Sequence, residues 1–209
     1  MRRAGFLAAA FAMLAFDAAA GMAPDDLADA LKAGGYVLFL RHTEAIEGSD
    51  FDTENMNNCA AQRNLSAKGK EDAKTIGRAF RSRSIPVGRI LASPFCRTRH
   101  AAYLAFGADR VTNEDALKSV CETTPAALAE RTQALRALLG TVPAPATNTV
   151  LVSHNCNIRV VSEESWDACA RAPGAGDAVV FRPQGGGYAV IGCVRLAEFT
   201  SWADMTAKR

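Results

Sequence analysis

Most of the features that would assign this chain a function at a glance are missing from it. There are only three histidines, His42, His100 and His154. They stand on separate stretches without carboxylates at ligand spacing, which makes a poor zinc set. None of the six cysteines falls in C-x-x-C spacing, so a zinc ribbon or a thioredoxin-like redox pair has little support. A G-x-S-x-G elbow is absent, which disfavours a serine hydrolase of the α/β type. The formal net charge is only +2, too small for the global basic field that nucleic-acid binding uses. The longest apolar run, residues 4–16, reaches roughly half the length of a membrane-spanning helix.

What is present is an ordinary globular composition. Hydrophobic residues make up 49% of 209 positions and charged residues 22%, enough to bury the core of one α/β domain and too short a chain for two. The N-terminus stands apart. Arg2 and Arg3 precede the apolar run, and Ala18, Ala19 and Ala20 follow it, the pattern of a secretory signal peptide over 1–20. The expectation is an exported protein, periplasmic or secreted, with a single domain over 21–209 and no membrane span once the signal is cleaved. In an oxidising compartment an even number of cysteines favours one to three structural disulfides. Spacing does not reveal their pairing.

Along the chain, helical and extended patterns alternate. Residues 24–34 suit a short helix stopped by Gly34 and Gly35. Tyr36 to Leu40 is a continuous apolar run, as in a strand buried on both faces. Residues 44–64 are polar and irregular. Ala73, Ile76, Gly77 and Phe80 repeat at helical spacing within 66–83, with Ser66 as cap. Further strands are predicted at 89–93, briefly around Val111, and at 148–153, with helices at 95–105 and 125–139. The runs 178–183 and 188–196 flank a Q-G-G-G turn and read as a hairpin. This order implies a three-layer α/β sandwich, a mostly parallel central sheet flanked by helices and finished by a C-terminal antiparallel hairpin.

Three predicted strands end in residues that carry chemistry. The first runs into Arg41 and His42, the second into Ser93 and Pro94 with Arg97 just beyond, and the third into His154 and Asn155. In an open α/β sheet these carboxyl ends share one rim, where ligands bind. Imidazoles and guanidiniums gathered there need an anion, and a phosphoryl group supplies one that arginine matches with two parallel hydrogen bonds. A neutral histidine facing phosphorus is a competent nucleophile. An acid is then required to protonate the leaving oxygen and to activate water afterwards.

Arg-His after the first strand, the S-P-x-x-R-T of Ser93, Pro94, Arg97 and Thr98, and a later strand ending in Ser-His-Asn resemble the histidine phosphatase superfamily, with its phosphoglycerate mutase-like fold. The segment 59–80 is similar to its small exported phosphatases. The resemblance covers roughly 36–200. It implies His42 as the phosphorylated nucleophile and Arg41, Arg97 and His154 as phosphate ligands, with Asn155 beside them, and needs no metal or other cofactor. The acid has three candidates, Glu122 first, then Asp177 and Glu114. Thr43 departs from the family pattern, standing where glycine is usual, and a β-branched residue suits a left-handed turn poorly. No mutase insert is visible, so a metal-independent phosphomonoesterase is expected. The alternative is a non-catalytic, phosphate-binding relative. Partners would be a phosphorylated small molecule or an envelope component. Glu44, Glu47, Asp50, Asp52 and Glu54 would disfavour polyphosphates if their loop overhangs the site.

Overall fold

The structure, a computed structural model, describes residues 22–52, 54–121, 123–163 and 166–205. The expected signal segment 1–20 and the candidate acid Glu122 lie outside the described residues. Six strands form one sheet: β1 (Val37–Arg41), β2 (Val87–Ala92), β3 (Val111–Asn113), β4 (Asn148–Ser153), β5 (Ala178–Gln184) and β6 (Gly187–Val194). Their spatial order is β3-β2-β4-β1-β5-β6. The first four are parallel to their neighbours, while β5 is antiparallel to both β1 and β6. Gln184 and Gly187 close the hairpin around Gly185 and Gly186, whose φ of 56° and 83° is the left-handed backbone a two-residue hairpin turn needs.

Side chains alternate across this sheet, so each apolar strand feeds two cores. One face carries Leu38, Leu40, Ile90, Val150, Val152 and Val180. It is covered by α1 (Pro24–Ala33), α2 (Ala67–Ser82), α3 (Cys96–Phe106) and, last in the chain, a helix over Leu196–Asp204. The opposite face carries Phe39, Leu91, Leu151, Val179 and Phe181, covered by α4 (Pro125–Gly140) and two short helices, α5 (Asn155–Arg159) and α6 (Ala168–Arg171). All six residues of β4 are buried, which explains its unbroken apolar sequence.

The last helix, α7 (Leu196–Asp204), corrects the expectation that the final strand runs on to residue 196. Glu198 accepts the Arg195 backbone N–H in a capping box, so the chain leaves the sheet there. Phe199 and Trp202 then pack into the first core. The expected antiparallel hairpin closes the sheet, and this helix follows it.

The six cysteines form three disulfides, Cys59–Cys96, Cys121–Cys156 and Cys169–Cys193. The first fastens the irregular 44–64 segment to the start of α3. The second joins the segment before α4 to α5. Among the described residues, no helix is long and apolar enough to cross a membrane.

The residues that follow β1 are stitched to the start of α2. Thr43 donates from its hydroxyl to Gly69 O at 2.7 Å, Ser66 N–H donates to Glu44 O at 3.1 Å, and the Ser66 hydroxyl caps Gly69 N–H. This seam requires glycine at 69, because a Cβ there would lie 1.9 Å from Glu44 O. Gly69→Ala should cost about 1–3 kcal/mol by overpacking. Thermal unfolding should register this as a drop of roughly 2–12 °C, at the 2–4 °C per kcal/mol of a domain this size.

Candidate active site

Sheet register brings the candidate residues together. Arg41 on β1 pairs with Ser153 on β4, and Ala92 on β2 pairs with Val152. One residue further on, His42 N–H donates to Ser153 O at 3.0 Å and Ser93 N–H donates to Val152 O at 2.9 Å. His42, His154 and Ser93 therefore leave three adjacent strands at nearly the same level. The two imidazole centroids are 5.5 Å apart, edge to face.

The neighbours of each ring fix its tautomer. His42 Nδ1 lies 2.7 Å from Thr43 O. A carbonyl can only accept, so Nδ1 carries the proton and Nε2 keeps a free lone pair. The Arg97 guanidinium donates to His154 Nδ1 at 3.4 Å, which leaves the proton on Nε2, 2.9 Å from Ser93 Oγ. Burial holds His42 down to about 3, with Arg97, Arg41 and Arg63 pushing the same way and the Thr43 carbonyl opposing. Burial, reinforced by Arg97, also keeps His154 well below its usual value. Both rings are thus neutral at neutral pH.

Thr43 is comfortable in its position. It is fully buried and is not among the residues with positive φ. No left-handed turn is needed after His42, and the threonine hydroxyl supplies the bond to Gly69 that glycine could not.

The arginines flank this pair. Arg97 sits one residue inside α3, with its guanidinium 4.7 Å from the Phe95 ring centroid and Nη1 on both Asp50 oxygens at 2.8 and 3.0 Å. Arg41 reaches Pro173 O at 2.9 Å through Nη1. The Nε of each is buried without a hydrogen-bond partner. Arg97 is also where the histidine pair meets a cavity of about 340 Å³, lined further by Asp50, Arg63, Lys118, Ser119 and Arg131.

The remaining candidates lie differently. Asp177 uses both carboxylate oxygens on backbone, accepting from Gly174 N–H at 2.7 Å and Leu196 N–H at 2.9 Å, while its own carbonyl accepts from Arg41 N–H. Glu114 caps a single turn through Ala116 N–H and faces a neighbouring hollow with Asp115 and Glu130. Asn155 opens α5 beside His154 and is half-buried. His100 lies outside the cavity lining, and Arg99 donates to Met56 O, holding the 44–64 segment in place.

Two participants come from the irregular 44–64 segment, with contacts that the sequence does not reveal. Asp50, from the polar and irregular stretch 44–64, is the anion on Arg97. Gln62 is buried, and its Oε1 accepts from Cys96 N–H at 2.9 Å, occupying the first amide of α3. The expectation of an acidic overhang also changes. Of the five carboxylates in 44–54, Asp50 alone lines the cavity among the described residues, against Arg63, Arg97, Lys118 and Arg131. Glu44 instead accepts from the Ser66 hydroxyl, and Asp52 binds backbone within its own loop. No group of three potential metal-ligating side chains occurs among the described residues.

No protein-family model matches the chain, and no curated protein matches it. Solved structures do share its fold. A protein histidine phosphatase SixA complexed with tungstate aligns with TM-score 0.55 at 14% identity, over 78% of this chain and 97% of its own. A phosphoserine phosphatase from Entamoeba histolytica, in complex with 3-phosphoglyceric acid, gives 0.55 at 14% over 78% and 98%. A phosphoglycerate mutase from Bacillus anthracis gives 0.53 at 14% over 83% and 99%. The architecture of this chain is the one common to these phosphatases and mutases.

The Asp50 carboxylate engages Arg97 through Nη1 alone and leaves its Nε unpartnered, so it competes for the charge of this guanidinium with any other anion that approaches. Asp50→Asn is expected to tighten binding of phosphate or vanadate about fivefold or more, as read by calorimetry and by the ligand-induced rise in melting temperature.

Proposed function

We propose that this chain is a metal-independent phosphomonoesterase of the histidine phosphatase superfamily, working through a phosphohistidine on His42. The observation that carries this reading is a neutral His42 whose Nδ1 proton is engaged by a backbone carbonyl, leaving Nε2 as a nucleophile beside His154 and Arg97. The shared fold with phosphatases and mutases supports it.

In this reading Nε2 of His42 attacks phosphorus while the bond to the ester oxygen breaks. Arg41 and Arg97 hold the equatorial oxygens as charge moves onto them, and His154 joins them by exchanging its Ser93 contact for a phosphoryl oxygen. The unpartnered Nε donors of Arg41 and Arg97 suit that task. A carboxylic acid protonates the leaving oxygen, then takes a proton from the water that attacks phosphohistidine. Water's oxygen ends on phosphate and His42 is returned neutral. Glu122 remains the first candidate for the acid, since it directly follows Cys121, a residue of the cavity wall. Both oxygens of Asp177 are already engaged, and Glu114 faces the neighbouring hollow, so each ranks lower. The three disulfides and the signal-like N-terminus favour an exported enzyme.

Purified protein should hydrolyse an aryl phosphate in the presence of chelator, and His42→Ala should lose at least about a thousandfold in kcat. A folded protein without turnover, whose melting temperature still rises with vanadate, would instead be a phosphate-binding relative. The pH profile offers a second check. A nucleophilic imidazole must be unprotonated, and burial depresses His42 to about 3. The kcat/KM profile, corrected for substrate ionisation, should therefore show no histidine limb near pH 6.5 and should persist into moderately acidic solution.

A further inference from the structure

The cavity beyond the phosphate ligands carries more positive charge than one phosphoryl group requires. Four of its lining residues are cationic, Arg63, Arg97, Lys118 and Arg131, and Asp50 is its one described carboxylate. Asp50 is spent on Arg97, and Lys118 has a partner in Asp115 outside the lining, at 3.1 Å. Arg63 and Arg131 have no carboxylate in ion-pair reach among the described residues.

Each of these two arginines is nonetheless fixed in place. Arg63 donates from Nε to Ile46 O at 3.1 Å, and Arg131 donates from Nη1 to Ser119 O at 3.1 Å. Among the described residues, one hydrogen bond to a carbonyl orients each guanidinium and leaves its other donors unspent, which is the arrangement that receives a carboxylate or phosphate. Arg63 contributes to lowering the His42 pKa as well, so its charge is felt at the nucleophile. The cavity of about 340 Å³ is at the small end of ligand sites and has room for an organic group in addition to a phosphoryl.

We infer that the substrate is a phosphomonoester bearing a second anionic group, carboxylate or phosphate, which Arg63 and Arg131 bind while the first phosphoryl sits on Arg41, Arg97 and the histidines. This rests on the phosphatase reading and narrows it. The expectation that the loop 44–54 would disfavour polyphosphates does not extend to this cavity, because its described lining is net basic.

The test uses non-hydrolysable probes, so leaving-group chemistry does not enter. Phenylphosphonate, 4-carboxyphenylphosphonate and 1,4-phenylenebisphosphonate would be compared by calorimetry on the wild-type protein. The two doubly anionic probes are expected to bind about tenfold or more tightly than phenylphosphonate. That advantage should shrink in Arg131→Gln and Arg63→Gln, return in Arg131→Lys, and decline as salt rises. Whichever probe gains more, carboxylate or bisphosphonate, identifies the second group. Equal affinity for all three in the wild type, which needs no variant to fold, overturns the inference and leaves the phosphatase reading intact. Failure of phenylphosphonate to bind at all overturns both.

Discussion

Everything at the site depends on the parallel pairing of β1, β4 and β2. Parallel strands place their carboxyl ends on one rim, and the register decides which residues stand side by side there. With Arg41 opposite Ser153 and Ala92 opposite Val152, the next residues are His42, His154 and Ser93. A shift of one residue in either pairing would turn a histidine to the opposite face of the sheet. Two buried cores hold that register, since Leu38 and Leu40 of β1 pack into one and Val37 and Phe39 into the other.

Burial does a second job at the rim. A solvated imidazole would be partly protonated near neutrality and would repel the arginines that must stand beside it. Taking His42 and His154 out of water keeps both neutral, so the positive charge that acts on His42 comes from the guanidiniums of Arg97, Arg41 and Arg63. Neutral imidazoles and charged guanidiniums can then share one small space. The Thr43 carbonyl completes this by choosing which ring nitrogen is left free.

Much of this was legible in the sequence because it rests on local patterns. Apolar runs ending in Arg-His, Ser-Pro and Ser-His marked the strands and the rim, and the spacing of Ala73, Ile76 and Phe80 marked α2. What could not be read has a common character. Asp50 meets Arg97 across 47 residues, and Gln62 meets Cys96 across 34, both from an irregular segment with no periodicity to interpret. The capping box at Arg195 and Glu198 was a local signal for α7, masked by the apolar pattern that led into it. Thr43 misled in the other direction. Its residue type suggested a poor turn, whereas its hydroxyl serves a contact with α2 that only the fold creates.

The disulfides fall unevenly over this architecture. None lies between strands of the sheet's parallel half, where packing alone is sufficient. Cys96 directly precedes Arg97, Cys156 lies two residues after His154, and Cys121 lines the cavity. Two of the three cross-links therefore secure the least regular parts of the rim, where few apolar contacts hold the backbone. The oxidation state of the surroundings is in this way written into the site itself. A chain whose thiols stay reduced lacks the fastenings that fix the walls around His42 and His154.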